Sequence, residues 1–176
     1  MDNDGVEVIL VENKEESVQR AVNRIARSGV DNITVVQCNL GRFHAPFDIG
    51  ICLHACGVAT DLVLAKCLAM SASFVVSPCC YGAVRSGHSV QYPRSDVFQA
   101  AGLEYHEYVA IGHAADQTEA ATAKSVQGRT CMVVVDSDRC HLAQQLGYTT
   151  QLNVMTPQTC SPKNHVLTGR PTSSTM

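Results

Sequence analysis

Short apolar runs alternate with polar stretches of helical spacing along the first half of the chain. Each run is five to seven residues long, consists mostly of apolar or β-branched residues and ends abruptly at small or polar residues, which is typical of buried strands. The runs predict strands at Val6–Val11, Ile33–Cys38, Phe47–Leu53 and Ser73–Ser77. The stretches Glu15–Gly29 and Asp61–Met70 carry apolar stripes that predict helices, the second capped by Thr60 or Asp61.

The second half of the chain has a less regular pattern. Arg129–Val135 is rich in β-branched residues and predicts a strand, and Asp138–Leu146 predicts the helix that follows it. Tyr148–Met155 and His165–Thr168 predict two strands with no helix between them, which indicates an antiparallel hairpin. Ser95–Ala101 and residues 114–126 have helical composition, and Glu104–Ile111 has the composition of a strand or loop. The alternation of strands and helices predicts an α/β protein with a largely parallel sheet.

Composition narrows the class of protein. The 176 residues are 45% hydrophobic and 16% charged, which is typical of one globular domain. The net charge of -3 gives no strong nucleic-acid signal, and no apolar run is long enough for a membrane span. The N-terminus lacks the features of a signal peptide, so we expect a cytoplasmic protein. Nine cysteines, an odd number, are then expected to be free thiols, mostly packed as small hydrophobes.

Polar residues close the first two predicted strands. Glu12 follows the first strand, where a carboxylate in a doubly wound sheet can accept hydrogen bonds from ribose hydroxyls. Asn39 follows the second strand, where its amide can meet an adenine edge with Leu40 against the ring. The alternatives are structural: Glu12 can cap the next helix, and Asn39 can be a turn residue before Gly41.

The next two strands end in reactive residues. His54-Ala-Cys56-Gly57 follows the third strand, and Cys79-Cys80-Tyr81-Gly82 follows the fourth. Because parallel strands present their carboxyl ends at one edge of a sheet, we expect the imidazole, the thiols and the Tyr81 hydroxyl at one crevice. Several interpretations stay open at this point: a proton acceptor, a ligand contact, a soft-metal site, a cysteine nucleophile, or a histidine that only packs.

Five segments together resemble a known family. They are VILVENKEES, FDIGICLHACGVATD, SFVVSPCCYG, MVVVDSDR and CSPKNHVLTG. Their sequences resemble the methyltransferase-like region of the glutathione S-transferase C-terminal domain-containing protein family, and the resemblance runs from about Val6 to Gly169. The His-x-Cys-Gly and Cys-Cys-Tyr-Gly pair is the specific part of it.

The resemblance implies a Rossmann-like S-adenosylmethionine methyltransferase sheet of strand order 3-2-1-4-5-7-6. S-adenosylmethionine is then the expected cofactor, and the methyl acceptor is unknown, with protein or RNA among the candidates. Glu12 takes the ribose role in this mapping, and Asn39 and Leu40 take the adenine side. His54 is expected both near the cofactor and as the catalytic base, with Tyr81 as an orienting group. The expected substrate-side residues are Cys56, Gly57, Cys79 and Cys80, and no resident metal is expected.

The sequence also departs from the family pattern. It contains no Gly-x-Gly motif, and nothing before Val6 matches the family's first strand. We therefore expect residues 1–169 to be an incomplete methyltransferase-like domain, inactive by itself, followed by a disordered tail at 170–176. The chain would then be a fragment, a shortened isoform or an incomplete gene model. A non-catalytic binding or regulatory module of the same fold is the alternative. A glutathione-related role has only the family's name behind it.

Overall fold

The structure is a computed structural model that describes residues 5–87, 90–118 and 122–172. The chain divides into two compact units, Met1–Ala45 and Pro46–Met176. Both units are mixed α/β, as the alternation of strands and helices predicts.

The first unit is a parallel pair of strands joined by a helix. Strand β1 spans Val8–Glu12, helix α1 spans Glu15–Ser28, and strand β2 spans Ile33–Gln37. The two strands pair in register from Val8 with Ile33 to Glu12 with Gln37. Helix α1 stops at Gly29, whose φ of 69° is the left-handed conformation that glycine adopts without a steric penalty. The predicted strands and helix of this unit are confirmed to within two residues at their ends.

The second unit contains a four-stranded sheet of order β3-β4-β6-β5. Strands β3 and β4 are parallel and connected by helix α2, whereas β5 and β6 form the expected antiparallel hairpin. Its elements are β3 Ile49–Leu53, α2 Val58–Ala69, β4 Ser73–Ser77, α3 Asp96–Ala100, α4 Tyr105–Ala115, α5 Ala123–Gln145, β5 Tyr148–Val154 and β6 His165–Pro171.

Two hydrophobic clusters hold the second unit together. One packs helices α2 and α5 against the sheet through side chains that include Leu64, Phe74 and Leu167. The other joins the loop that follows β4 to helices α4 and α5 and includes Tyr81, Tyr108 and Met132. Cys67 and Cys140 lie in the first cluster as free thiols, and Cys38, Cys52 and Cys131 are half-buried. The expectation that these cysteines act as small hydrophobes is confirmed most fully at Cys67.

Three predictions for the second unit are wrong. The segment 129–135, predicted as a strand, lies inside helix α5. The helix predicted at Asp138–Leu146 is confirmed as helical, but it is the second half of α5 and not a separate element. The segment 104–111, predicted as a strand or loop, forms the start of helix α4, with Glu104 as its N-cap. Helix α2 begins at Val58 with Gly57 at its N-cap, so neither Thr60 nor Asp61 caps it.

Strand β6 extends to Pro171, beyond the point at which a tail was expected. Thr172 also donates its backbone N–H to the carbonyl oxygen of Gly147 at 2.8 Å. The rest of the tail predicted at 170–176, residues 173–176, lies outside the described residues. Within the described ranges, every helix is too short or too polar to cross a bilayer.

One face of the edge strand β3 is apolar and open to solvent. Ile49, Ile51 and Leu53 are 58%, 74% and 63% exposed, and β3 has β4 as its only partner among the described strands of this unit. An edge strand with exposed apolar side chains is a template for pairing with another chain. We therefore expect concentration-dependent self-association through this edge.

The Ile51→Lys variant tests that expectation. A lysine at an exposed edge position opposes strand pairing, so the variant should remain monomeric at higher concentrations in size-exclusion chromatography with light scattering. Its free energy of unfolding should change by less than about 0.5 kcal/mol, as for most surface substitutions. Val97→Lys is the control, because Val97 is 52% exposed but lies on helix α3. An equal gain from both variants would mean that net charge, and not the strand edge, controls association.

Candidate active site and thiol cluster

The loops that follow β3 and β4 are joined through their backbones. His54 has a φ of 60°, which is uncommon for a residue with a side chain. This turn lets the His54 N–H donate to the carbonyl oxygen of Ser77 at 3.3 Å, and the Gly57 N–H donates to that of Cys80 at 3.1 Å. The two motifs therefore lie side by side at the carboxyl ends of two parallel strands, as predicted.

Gly57 is required at its position for two reasons. Its φ of 56° and ψ of -127° define a conformation that is open in practice only to glycine. A Cβ atom at this position would lie 2.6 Å from the carbonyl oxygen of Ala83. The loop after β4 thus packs directly on the backbone that starts helix α2.

The thiols of Cys56, Cys79 and Cys80 form a triangle at this edge. The Sγ–Sγ distances are 3.4 Å for Cys56–Cys79, 3.4 Å for Cys79–Cys80 and 3.1 Å for Cys80–Cys56. Cys56 is exposed, and the other two are half-buried. Within the described residues, the cluster of neighbouring ligand atoms consists of these three sulfurs and does not include His54. A soft-metal site with His54 as a fourth ligand is therefore not formed.

The surroundings of Cys79 and Cys80 favour neutral thiols. Burial and the contacts with the neighbouring thiols raise the pKa of Cys79. The hydrogen bond with Cys56 and burial raise the pKa of Cys80. A cysteine nucleophile reacts as its thiolate, so this environment does not favour the cysteine-hydrolase interpretation. The His54 side chain is exposed and has no hydrogen bond within the described ranges, so nothing there orients it towards a thiol.

Tyr81 differs from the expectation that its hydroxyl faces the crevice. Its side chain is fully buried, and the hydroxyl donates to Asp136 Oδ2 at 2.7 Å. The same oxygen lies 2.7 Å from Nδ1 of the buried His165. Burial, together with the negative charge of Asp136, raises the pKa of Tyr81 far above its ordinary value. Tyr81 therefore anchors the Cys-Cys-Tyr-Gly loop from below as a neutral phenol.

Asp116 holds the same loop from the side. Its carboxylate accepts from the backbone N–H of Tyr81 at 2.9 Å and of Gly82 at 2.7 Å. Lys163, in the connection between β5 and β6, lies 3.1 Å from Asp116 Oδ1 and 5.2 Å from the centre of the Tyr81 ring. Burial raises the pKa of Asp116, but the two backbone donors and Lys163 outweigh it and lower the pKa overall.

A buried ionic network lies beneath the loop. Arg139 donates to Asp61 through Nε at 3.1 Å and Nη2 at 2.8 Å, and to Asp136 through Nη1 at 3.0 Å. Arg94 and the Tyr92 hydroxyl also donate to Asp61, at 2.6 and 2.7 Å. Burial raises the pKa of Asp61, yet the two arginines lower it below its usual value. Asp61 is therefore ionised at neutral pH, and Arg139 and Arg94 neutralise its charge.

The candidate cofactor residues of the first unit lie at the carboxyl ends of β1 and β2. Glu12 Oε1 accepts from the backbone N–H groups of Asn13 at 2.7 Å and Lys14 at 2.9 Å, just before helix α1. Asn39 Oδ1 accepts from the Gly41 N–H at 3.0 Å and caps a short 3-10 helix at Leu40–Arg42. The structural alternative is thus realised for Asn39. Glu12 binds the backbone before helix α1 but does not cap it, because the N-cap of α1 is Lys14 and has no side-chain cap hydrogen bond. The other carboxylate oxygen of Glu12 and the amide nitrogen of Asn39 make no hydrogen bond within the described residues.

Comparison with known proteins places both motifs in a recognised region. Residues 1–87 match the family model described as a methyltransferase domain. A glutathione S-transferase C-terminal domain-containing protein of Xenopus laevis is 44% identical over 94% of this chain, and that of Bos taurus is 42% identical over 94%. The homolog of Drosophila melanogaster is 41% identical over 93%. The chain belongs to the glutathione S-transferase C-terminal domain-containing protein family.

This membership confirms the resemblance that the motifs predict. The chain spans about a quarter of the length of its curated relatives, with 27%, 26% and 29% of the three proteins covered. The buried ionic network was not predicted from the sequence. Asp136 and Arg139 are three residues apart, a helical spacing that could have identified them as partners on one helix face.

Proposed function

We propose that the chain is part of an S-adenosylmethionine-dependent methyltransferase domain and carries its acceptor-side loops. One observation supports this most strongly. The parallel β3-α2-β4 unit lies within the methyltransferase match and brings His54 and the three thiols to one sheet edge. In α/β sheets, ligands bind beyond the carboxyl ends of the strands.

The described residues are compatible with the cofactor. Glu12 and Asn39 follow or end two adjacent parallel strands. Each keeps polar side-chain atoms that are not used in its hydrogen bonds to nearby backbone N–H groups. A carboxylate oxygen at Glu12 suits ribose hydroxyls, and the Asn39 amide with the half-buried Leu40 suits an adenine ring. When bound, S-adenosylmethionine would supply a methyl group activated by its attachment to a sulfonium. The sulfur would leave as a neutral thioether, so no acid would be needed to assist it.

The residues of the second unit would serve the acceptor. His54 is exposed at the end of β3, and an imidazole is the side chain that most readily takes a proton near neutral pH. His54 would accept the proton that an amine, hydroxyl or thiol acceptor loses. Tyr81 would act as a positioning residue through the buried Asp136 and not through contact with the acceptor. Cys56, Gly57, Cys79 and Cys80 would shape the acceptor-side wall.

The strand orders of the two sheets also support a Rossmann-like methyltransferase fold. The order β1-β2 reproduces the strand pair 2-3 of the methyltransferase sheet, and β3-β4-β6-β5 reproduces 4-5-7-6. We propose that a complete domain adds the Gly-x-Gly loop, which this sequence does not contain. The 176 residues alone would then bind the cofactor weakly and be inactive.

Cofactor binding tests the proposal. The chain itself should show little or no heat with S-adenosylmethionine in titration calorimetry. A chimera that joins the residues preceding the matched region of the Xenopus laevis relative to Val6 should bind with micromolar affinity. In the chimera, Glu12→Gln should weaken binding about 10- to 100-fold, because it removes a charged acceptor from the ribose. The glutamine oxygen can still accept from Asn13 and Lys14, so the start of helix α1 is retained.

Glu7→Ala is the matched control, because Glu7 is exposed and precedes the same strand. It should leave the affinity of the chimera unchanged. A folded chimera that does not bind S-adenosylmethionine would favour the non-catalytic binding module. Micromolar binding by the 176-residue chain would show that the Gly-x-Gly loop is dispensable, and an unchanged Glu12→Gln affinity would remove the ribose assignment.

A further inference from the structure

The triangle of thiols at the ends of β3 and β4 has the composition and spacing of a soft-metal site. Thiolate sulfur is the ligand type that selects Zn²⁺ and Cu⁺ over Mg²⁺ or Ca²⁺. Three protein ligands with one open position are typical of zinc sites that also bind an exogenous group. We propose that Cys56, Cys79 and Cys80 bind one Zn²⁺ ion, with its fourth position open to the crevice.

The distances favour a metal over a disulfide. A Zn–S bond of about 2.3 Å in a tetrahedral site separates the sulfurs by about 3.8 Å, whereas a disulfide separates them by about 2.0 Å. The three observed separations of 3.1 to 3.4 Å are closer to the metal value. A disulfide would also join only two of the three sulfurs, and the adjacent pair Cys79–Cys80 could close only with strain.

Several hydrogen bonds hold the backbone around the thiols in place. Gly57 N–H and Cys80 carbonyl oxygen join the two loops, and Asp116 fixes the Tyr81 and Gly82 amides. Tyr81 is anchored in the core next to Cys80. A metal site gains affinity when its ligands are held on such a frame, because little side-chain entropy is lost on binding.

The charge of the site also fits. Cys56 lies two residues before helix α2, which begins at Val58 and is long enough to place a partial positive charge at its N-terminus. A partial positive charge there offsets part of the negative charge of a metal–thiolate centre. Binding of Zn²⁺ would release up to three thiol protons to solvent, and the resulting centre would carry one net negative charge. Cys56 is exposed, so the ion has a route of entry.

Cobalt spectroscopy provides the direct test. With the reduced 176-residue chain, Co²⁺ should produce a sulfur-to-metal charge-transfer band, and one equivalent of Zn²⁺ should abolish it. Competition with a chromophoric chelator should give a zinc affinity that falls more than about 100-fold in Cys56→Ser and Cys80→Ser, since even outer-shell partners contribute about 10- to 100-fold. Cys160→Ser is the control, because Cys160 is an exposed thiol outside the cluster.

Unfolding measurements separate loss of metal from loss of fold. In excess chelator, the wild type and Cys56→Ser should unfold at similar urea concentrations, and added Zn²⁺ should stabilise only the wild type. If the serine variants do not fold, the wild-type cobalt spectrum decides. Absence of a thiolate band, a zinc affinity equal in Cys56→Ser and Cys160→Ser, or a protein mass lower by two hydrogens and no metal uptake would each overturn the proposal. None of these outcomes depends on methyl transfer.

Discussion

Replacing Arg139 with methionine is expected to destabilise the second unit by about 3–5 kcal/mol, because it leaves buried carboxylates without their partner. Arg139 is 1% exposed and binds Asp61 and Asp136, which are both fully buried. Arg94 still neutralises Asp61, but Asp136 retains only hydroxyl and imidazole contacts. Urea unfolding followed by circular dichroism measures the loss.

Arg129→Met is the matched control, because Arg129 is exposed on the same helix. It should change the free energy of unfolding by less than about 0.5 kcal/mol. Arg139→Lys keeps the charge but not the forked geometry, so an intermediate loss is expected. A loss below 1 kcal/mol for Arg139→Met would contradict the view that this network supports the loop after β4.

The pH dependence of the same variant has a definite sign. The pKa of Asp61 is lowered in the folded protein, so its ionisation contributes stability above its unfolded pKa of about 3.9. That contribution is lost as the pH falls through the folded pKa. In Arg139→Met the buried carboxylates protonate more readily. The stability difference between wild type and Arg139→Met should therefore be full at neutral pH. It should shrink as the pH falls through the folded carboxylate pKa of the variant and then through the lower Asp61 pKa of the wild type.

Gly57→Ala is expected to cost about 2–5 kcal/mol and to displace the loop after β4. Positive φ contributes about 1–2 kcal/mol for a residue with a Cβ atom, and overpacking contributes about 1–3 kcal/mol. The clash is severe because the added Cβ meets the backbone oxygen of Ala83 at 2.6 Å, and a backbone atom cannot rotate away. The free energy of unfolding is again the measurement.

Gly102→Ala separates the two contributions. Gly102 has a φ of 75°, but a Cβ atom there would meet nothing within 4 Å. The control should therefore lose only about 1–2 kcal/mol, from backbone strain alone. Equal losses for Gly57→Ala and Gly102→Ala would show that the contact with Ala83 carries no cost.

The sequence could predict the elements whose periodicity is local and apolar. Strands β1 to β4 follow uninterrupted apolar runs, and the parallel pairing of β3 with β4 follows from the intervening helix. The same reasoning placed His54 and the thiols together, because carboxyl ends of parallel strands share one edge. The antiparallel pairing of β5 with β6 followed from the absence of a helix between them.

Helix α5 could be recognised in this way only in its second half, at residues 138–145. Its buried positions recur at helical spacing, but several of them are charged or polar, so a search for apolar stripes missed them. The β-branched run at 133–135 then favoured a strand, although Val133 is 45% exposed on the helix surface. The capping box of Thr122 and Ser125 was the one local signal for the start of α5.

The sequence by itself determined which residues lie at the strand ends and which family the chain resembles. Only the tertiary structure decided that the Tyr81 hydroxyl points into the core, because its partner Asp136 is 55 residues away. It likewise decided that three thiols, and not His54, converge within 3.4 Å of one another. The first result depends on how helix α5 packs against the loop after β4, and the second depends on how the loops after β3 and β4 meet. Such long-range packing leaves no periodic signal along the chain.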